Sequence, residues 1–174
     1  MTRSDLLKAL LPLNTRQKNP EFALRVFAGL MNREEWRLVL VGKGELMKRL
    51  RGLVMELGVG HLVVFAGEVQ TTAKYYGAFD VLMVPSLHEG LGMVVVEAGA
   101  AGLPVVASDQ VPAEANVVKN THFLSLRDLG AWRKALEVAV KGGRMAVKRT
   151  AKTEEYNIND AVKKLEELYE SFTH

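Results

Sequence analysis

The sequence predicts an α/β fold, in which a doubly wound parallel sheet is flanked by helices. Four short apolar runs are continuous rather than alternating, which is typical of strands buried on both faces. These runs are residues 37–41 (RLVLV), 62–66 (LVVFA), 81–85 (VLMVP) and 104–107 (PVVA). Stretches with helical periodicity lie between them, and strands that alternate with helices form βαβ units around a parallel sheet.

Start signals and amphipathic stripes predict the helices. Asn19 and Pro20 form a helix entry, with asparagine as the N-cap and proline at the first position. Leucine and valine share one face of residues 45–57, and Gly58 follows as a stop signal. Further helices are predicted at 73–79, after Thr71 and Thr72, at 128–141, and at 156–174, where the apolar stripe is narrow.

The composition predicts one globular domain over residues 1–174. The 23 basic residues nearly balance the 20 acidic ones, and no run mixes basic with aromatic residues, so we expect no nucleic-acid partner. There is no cysteine, and the four histidines lack metal-ligand spacing, so no metal site is expected. The basic stretch 144–155 is interpreted as a solvated connector to the last helix.

The stretch HEGLGMVVVEAGAAGLPVV, residues 88–106, contains two acids, Glu89 and Glu97, in an otherwise apolar and glycine-rich segment. Its three consecutive valines favour a strand. Gly102, followed closely by a proline, instead favours a helix that ends there. Local propensity leaves both structures open.

A helix that begins near Gly92 would create an anion site. The first amides, those of Met93 and Val94, would be free, and they lie at the positive end of the helix dipole. Gly90 and Gly92 would let the chain turn sharply and approach a ligand closely. The arrangement suits a diphosphate.

The two acids would then lie beside the phosphate. Glu97 falls on the same helix face as Met93 and could accept hydrogen bonds from sugar hydroxyls, while Glu89 could do the same for a second sugar. A nucleotide-sugar is therefore the predicted ligand. The alternative is that Glu97 pairs with a structural lysine or arginine and that Glu89 is a solvated loop residue.

The segment PSLHEGLGMVVVEAGAAGLPVVASD resembles the donor-binding motif of family 4 (group 1) retaining glycosyltransferases, in which two glutamates with seven residues between them bracket a glycine-rich turn. Other segments fit the family in order: RQKNPEFALRVFAGL, LVLVGKGEL, LVVFAGEV, YYGAFDVLMVPS and YNINDAVKKLEELY. The resemblance is closest to members that build bacterial capsular and exopolysaccharides. It implies a Rossmann-like domain that is one half of a GT-B fold, the C-terminal donor-binding half.

The resemblance also implies the roles of individual residues. Lys18 and Glu89 would be the catalytic pair, with Lys18 on the donor diphosphate and Glu89 on the transferred sugar. Glu97 would hold the ribose. The donor-binding residues would be Gly42, Gly44, Ser86, Gly90, Leu91, Gly92, Met93, Val94 and Glu97. The donor would be a nucleotide-sugar, with a UDP-sugar favoured, and no metal would be required.

One departure from the family concerns the first loop. The family has an arginine about five residues before the lysine, where this chain has Pro12 and Leu13. Arg16 is nearby but offset, so its ability to replace that arginine stays open. The segment LLKALLPLN, residues 6–14, is ambiguous between strand and helix, whereas the family has a strand there.

The expected partner is an acceptor-binding N-terminal domain, which this chain lacks. The isolated chain should therefore bind nucleotide without transferring sugar. Two alternatives stay open: a non-catalytic subunit that pairs with a separate acceptor-binding chain, or half of a nucleotide-sugar epimerase. The last helix could pack on its own domain or on the partner. A cytoplasmic location is expected, with peripheral association at the inner face of the membrane as an option.

Overall fold

The computed structural model of the chain describes residues 9–12, 16–69 and 73–146. These residues form a six-stranded sheet in the order β3-β2-β1-β4-β5-β6, with every neighbouring pair parallel. The strands are β1 (Ala9–Pro12), β2 (Leu38–Val41), β3 (Val63–Gly67), β4 (Leu82–Val84), β5 (Val105–Ser108) and β6 (Thr121–Leu124). The helices are α1 (Pro20–Ala28), α2 (Met47–Glu56), α3 (Ala73–Ala78), α4 (Met93–Ala100) and α5 (Leu129–Gly142).

The predicted fold class is confirmed, and the reason is visible in β2. Leu38 and Leu40 pack into a core with α1, α2 and α5, whereas Val39 and Val41 pack into a second core with α3 and α4. Both faces of the strand are therefore covered, which explains why its apolar run does not alternate. The four predicted strands agree with β2 to β5 within about one residue at each end.

The local sequence pattern does not identify two of the strands, β1 and β6. The ambiguous segment 6–14 contains β1, whose residues Ala9–Pro12 pair along the whole of β2, while Leu10 pairs with Leu82 of β4. The strand β6 was missed. It lies at the sheet edge and its side chains are half-buried or exposed, so it has no continuous apolar run to reveal it.

The valine-rich stretch forms the helix α4 rather than a strand. Val95, Val96, Ala98 and Gly99 are buried against the second core. A side chain at Gly99 would approach a methyl of Val118 to 2.9 Å, so the helix packs closely against the loop before β6. Burial between layers outweighs the β-propensity of the valines.

Two local predictions need correction. Asn19 does precede α1, but its backbone is left-handed (φ 51°) and its side chain makes no capping hydrogen bond. The second concerns Arg144, which is exposed, as the sequence predicts for a solvated connector, but which also attaches to the domain by donating to the backbone oxygens of Ala101 and Phe79.

Several predictions fall on residues outside the described ranges. These are the predicted helix 156–174, Leu13, and the caps Thr71 and Thr72. None of the helices in the described part of the chain has the length and hydrophobicity that a bilayer crossing requires.

Candidate active site

The strand order reverses between β1 and β4, at the centre of the sheet. The chain proceeds outward from β1 to β3, then returns to β4 and proceeds outward to β6. In parallel α/β sheets, ligands bind outside the carboxyl ends of the strands at such a reversal point. The loops after β1 and β4 therefore define the candidate site.

These two loops are joined by hydrogen bonds around Gln17. The Leu87 amide donates to the backbone oxygen of Gln17 at 2.7 Å. The Gln17 side-chain amide donates to the backbone oxygen of His88 at 2.5 Å. The 3-10 turn Arg16–Lys18 is thus attached to the loop after β4 by its backbone and by a side chain.

Three of the predicted site residues meet at this junction. The Lys18 Nζ lies 2.5 Å from Glu89 Oε1, and the Ser86 hydroxyl donates to the same oxygen at 2.7 Å. The side chains of Lys18 and Glu89 are 20% and 9% exposed. The alternative that Glu89 is a solvated loop residue is therefore wrong, because its carboxylate is the counterion of a lysine.

Ser86 is held in place by the next strand. It is completely buried, and its backbone oxygen accepts a hydrogen bond from the hydroxyl of Ser108 at 2.5 Å. Both serines stand at the carboxyl ends of adjacent strands, Ser86 in the loop after β4 and Ser108 as the last residue of β5. A hydrogen bond from the end of β5 therefore positions Ser86, which in turn contacts the Glu89 carboxylate of the ion pair.

The helix α4 begins at this site, at a turn that requires glycine. Gly92 has a left-handed backbone (φ 64°), and a Cβ there would lie 3.0 Å from Ala115 Cβ and 3.1 Å from Val111 Cγ1. Within the described ranges, the amides of Met93 and Val94 have no hydrogen-bond acceptor. Two free amides at the positive end of a helix can bind an anion.

The two residues before this glycine lie at the surface. Gly90 is exposed, a Cβ added to it would meet no atom within 4 Å, and its φ lies outside the left-handed region. Leu91 is 72% exposed. The sequence assigns the sharp turn to Gly90 and Gly92 together, but the backbone requires glycine only at Gly92.

Glu97 differs from Glu89 in its surroundings. It is exposed on α4, and its Oε2 accepts a hydrogen bond from the Tyr76 hydroxyl at 2.8 Å. Tyr76 lies in α3 and is 3% exposed. The donor of this hydrogen bond is a neutral hydroxyl, whereas the partner of Glu89 is an ammonium group.

The glycines after β2 lie on the other side of the reversal point. The Gly42 amide donates to the backbone oxygen of Gly67 at 2.6 Å, so it is engaged in the sheet. Gly44 is exposed. Arg16 is directed toward this loop, because its Nε lies 3.7 Å from the exposed Glu45.

An open cleft of about 560 Å³ adjoins Glu89. It lies between the loops that follow β4 and β5. Its lining residues are His88, Glu89, Asp109, Gln110, Val111, Pro112, Ala113, Glu114 and Phe123. The ion-paired Glu89 therefore borders a space that a ligand could enter.

Sequence reasoning missed Gln17, Tyr76 and Ser108. Gln17 acts on a loop 71 residues away, and Tyr76 is one aromatic residue of a short helix, so neither has a local signature. Ser108 did carry a signal. It directly follows one apolar run, as Ser86 follows another, and the carboxyl ends of parallel strands lie on the same side of the sheet.

Comparisons with known proteins identify the family of the chain. Residues 14–128 match the family described as Glycosyl transferases group 1. A protein of Methanocaldococcus jannaschii named as a glycosyltransferase is 42% identical over 96 residues, which are 54% of this chain and 25% of that protein. A protein of Bacillus subtilis named as a glycosyltransferase, EpsF, is 32% identical over 130 residues, 73% of this chain and 34% of that protein.

Solved structures share the fold. Sucrose-phosphate synthase from Thermosynechococcus elongatus has a TM-score of 0.77 at 24% identity, covering 99% of this chain and 47% of that one. The Anabaena protein HepE in complex with UDP has a TM-score of 0.70 at 19% identity, covering 79% and 40%. The chain thus spans about a quarter to a third of the two curated relatives, and under half of these solved chains. It belongs to the group 1 family of glycosyltransferases and has the α/β Rossmann-like fold of one half of a GT-B enzyme.

Proposed function

We propose that this chain is the donor-binding domain of a retaining glycosyltransferase that acts in bacterial surface polysaccharide synthesis. The observation that carries the proposal is that the loop after β4 is contacted by Lys18 at Glu89 and leads into the free amides of Met93 and Val94, at the reversal point of the sheet. An ammonium and a helix N-terminus beside one loop suit a diphosphate. Glycosyltransferases related by sequence support the reaction class.

The positive groups would act on the leaving diphosphate. When the bond between the sugar carbon and the diphosphate oxygen breaks, the electron pair stays on that oxygen. Fixed donors that face this developing charge lower the barrier. Lys18 has three N–H donors, so it can keep its bond to Glu89 and also donate to a phosphate oxygen. We therefore propose a metal-independent reaction.

The two acids would hold the two sugars. Glu89 borders the open cleft, where it can accept from hydroxyls of the transferred sugar. Glu97 is exposed one turn into α4, where it can accept from the ribose. We favour a UDP-sugar as the donor, because Anabaena HepE, a protein of the same fold, is described in complex with UDP and with UDP-glucose.

The acceptor site would come from a second domain. Leu87, Leu91 and Met93 lie in the loop after β4 and at the start of α4, and they are 52%, 72% and 43% exposed. Exposed apolar residues next to a polar site suit a surface that a partner covers. We propose that the acceptor-binding half covers it, either as part of the same polypeptide or as a separate chain. The cytoplasmic location and membrane-peripheral association stay predictions.

Nucleotide titration by NMR tests the donor-binding role. UDP, ADP and GDP are titrated into the isotope-labelled chain, and the amides of Gly92, Met93 and Val94 should shift most. We expect Glu97→Ala to weaken nucleotide binding about tenfold, which is the loss of one charged hydrogen-bond acceptor. Glu56→Ala, which removes an exposed acid at the end of α2, is the matched control and should bind like wild type.

Each part of the proposal has its own contrary result. If none of the three nucleotides binds, the donor-binding role is wrong. Equal affinities of wild type and Glu97→Ala would remove Glu97 from the site. Sugar transfer by the isolated chain, measured by product analysis with UDP-glucose, would overturn the claim that a second domain is required.

A further inference from the structure

A hydrogen-bonded connection links Glu97 to the segment that follows α5. The Tyr76 hydroxyl donates to Glu97 Oε2 at 2.8 Å and thereby joins α3 to α4. The Tyr76 ring is buried in the second core, with 3% of the residue exposed. The hydroxyl is therefore presented to Glu97 from a fixed position.

Arg144 contacts the C-terminal ends of α3 and α4. Its guanidinium donates to the backbone oxygens of Tyr76 and Phe79, at the end of α3, and to that of Ala101 at the end of α4. The planar guanidinium offers five donors, and a cation is favourable at helix C-termini. The next residue continues this attachment, because the Met145 amide donates to the backbone oxygen of Gly102 at 3.0 Å.

We propose that Tyr76 is a positioning residue that orients Glu97 toward the ribose hydroxyls of the donor, and that Arg144 keeps Tyr76 in place. This inference rests on the proposed function, since it concerns the same site. An exposed glutamate samples several rotamers, and a ligand that needs one of them binds more weakly. A bond from a buried hydroxyl restricts that sampling.

The hydrogen-bond donor to Glu97 is a neutral hydroxyl. Lys18 brings a positive charge to Glu89, whereas the tyrosine hydroxyl restrains Glu97 without adding charge. A carboxylate can accept about four hydrogen bonds, so the bond from Tyr76 uses a minor part of its capacity. The bond from Tyr76 therefore does not by itself prevent Glu97 from accepting hydrogen bonds from the hydroxyls of a ligand.

The experiment compares two ligands that differ only at the ribose. UDP and 2′,3′-dideoxy-UDP are titrated by calorimetry into wild type, Tyr76→Phe and Glu97→Ala. Tyr76→Phe keeps the buried ring and removes only the hydroxyl. We expect it to weaken UDP binding about three- to tenfold, the loss of one positioning hydrogen bond, and to leave dideoxy-UDP binding unchanged. If the hydroxyl has only a structural role, its removal would weaken the binding of both ligands equally.

Arg144→Gln provides an independent variant. We expect the preference for UDP over dideoxy-UDP to fall about twofold, because Tyr76 loses one backbone attachment while its hydroxyl stays. Arg127→Gln, at an exposed arginine before α5, is the matched control and should keep the wild-type preference. If Tyr76→Phe does not fold, the Arg144→Gln comparison decides the proposal.

The contrary outcomes separate this inference from the proposed function. Suppose that Tyr76→Phe and Arg144→Gln both keep the wild-type preference for UDP over dideoxy-UDP, while Glu97→Ala loses it. That result would overturn the positioning role and leave the donor-binding role intact. Equal binding of UDP and dideoxy-UDP by wild type would remove Glu97 from the ribose and overturn the inference with it. Absence of nucleotide binding would contradict the proposed function itself.

Discussion

Glu89 and Glu97 belong to one sequence motif but lie in opposite environments. The Glu89 side chain is 9% exposed and pairs with Lys18, whereas Glu97 is exposed and its Oε2 accepts from the neutral Tyr76 hydroxyl. The ion pair that Glu89 forms with Lys18 therefore helps to join the loops after β1 and β4. Glu97 is an exposed residue of a helix, and a buried tyrosine contacts its carboxylate. Membership of one motif does not imply equal roles in the fold.

The difference follows from which elements carry the two acids. The loop after β4 adjoins the loop after β1 because these strands are neighbours, so Glu89 meets Lys18. Glu97 lies on the outer face of α4, whose other faces are buried against the second core. Substitutions in the two regions should therefore affect stability and binding differently.

The largest stability effect is expected for Glu89→Ala. Lys18 is 20% exposed and would lose its counterion, and removal of one partner from a largely buried pair is strongly destabilising. We expect the free energy of unfolding to fall by about 2–3 kcal/mol, after allowance for that exposure. Urea unfolding followed by circular dichroism measures it.

The matched control is an exposed ion pair in the loops that follow the carboxyl ends of β1 and β2. Glu45→Ala removes the partner of Arg16, and both side chains are more than 70% exposed. We expect a change within about 0.5 kcal/mol. Equal stability of Glu89→Ala and Glu45→Ala would show that the pair at Glu89 has no structural role.

The next effect concerns the turn that leads into the helix of Glu97. Gly92→Ala forces a Cβ into a left-handed backbone and into contact with Ala115 and Val111. We expect a loss of about 1–2 kcal/mol in the free energy of unfolding. The control Gly90→Ala enters open space and should change stability by less than about 0.5 kcal/mol. Similar losses in both variants would contradict the assigned turn.

A smaller effect is expected at the junction of the two loops. Gln17→Ala removes the side-chain bond to His88 and keeps the backbone bond to Leu87. We expect a loss of about 0.5–1 kcal/mol and faster hydrogen exchange of the Leu87 amide, because the junction opens more often. Unchanged exchange at Leu87 would mean that the backbone bond alone holds the loops together.

The smallest effect is expected for Glu97→Gln. The amide keeps an acceptor oxygen for the Tyr76 hydroxyl and removes the charge of an exposed side chain. We expect the free energy of unfolding to change by less than about 0.5 kcal/mol, measured as for Glu89→Ala. A loss above about 1 kcal/mol would give Glu97 the structural role of Glu89 and remove the contrast between the two acids.

Part of the site was predictable and part was not. The glycine-rich turn and both acids stand in one continuous stretch, so the sequence indicated them together. The helix α4 could not be separated from a strand locally, because valine favours strands and only burial between layers reverses that preference. The hydrogen-bond partners of the acids were also hidden: Lys18 is 71 residues from Glu89, and Tyr76 is 21 residues from Glu97.

The sequence by itself determined the fold class and the location of the glycine-acid stretch after a buried strand. Burial on both faces produces continuous apolar runs, and these can be recognised without neighbours. Only the tertiary structure decided that β1 is a strand, that β6 exists, and that Glu89 meets Lys18 while Glu97 meets Tyr76. Those outcomes depend on which strands and helices lie side by side, because contacts between residues far apart in the chain form only when the sheet assembles.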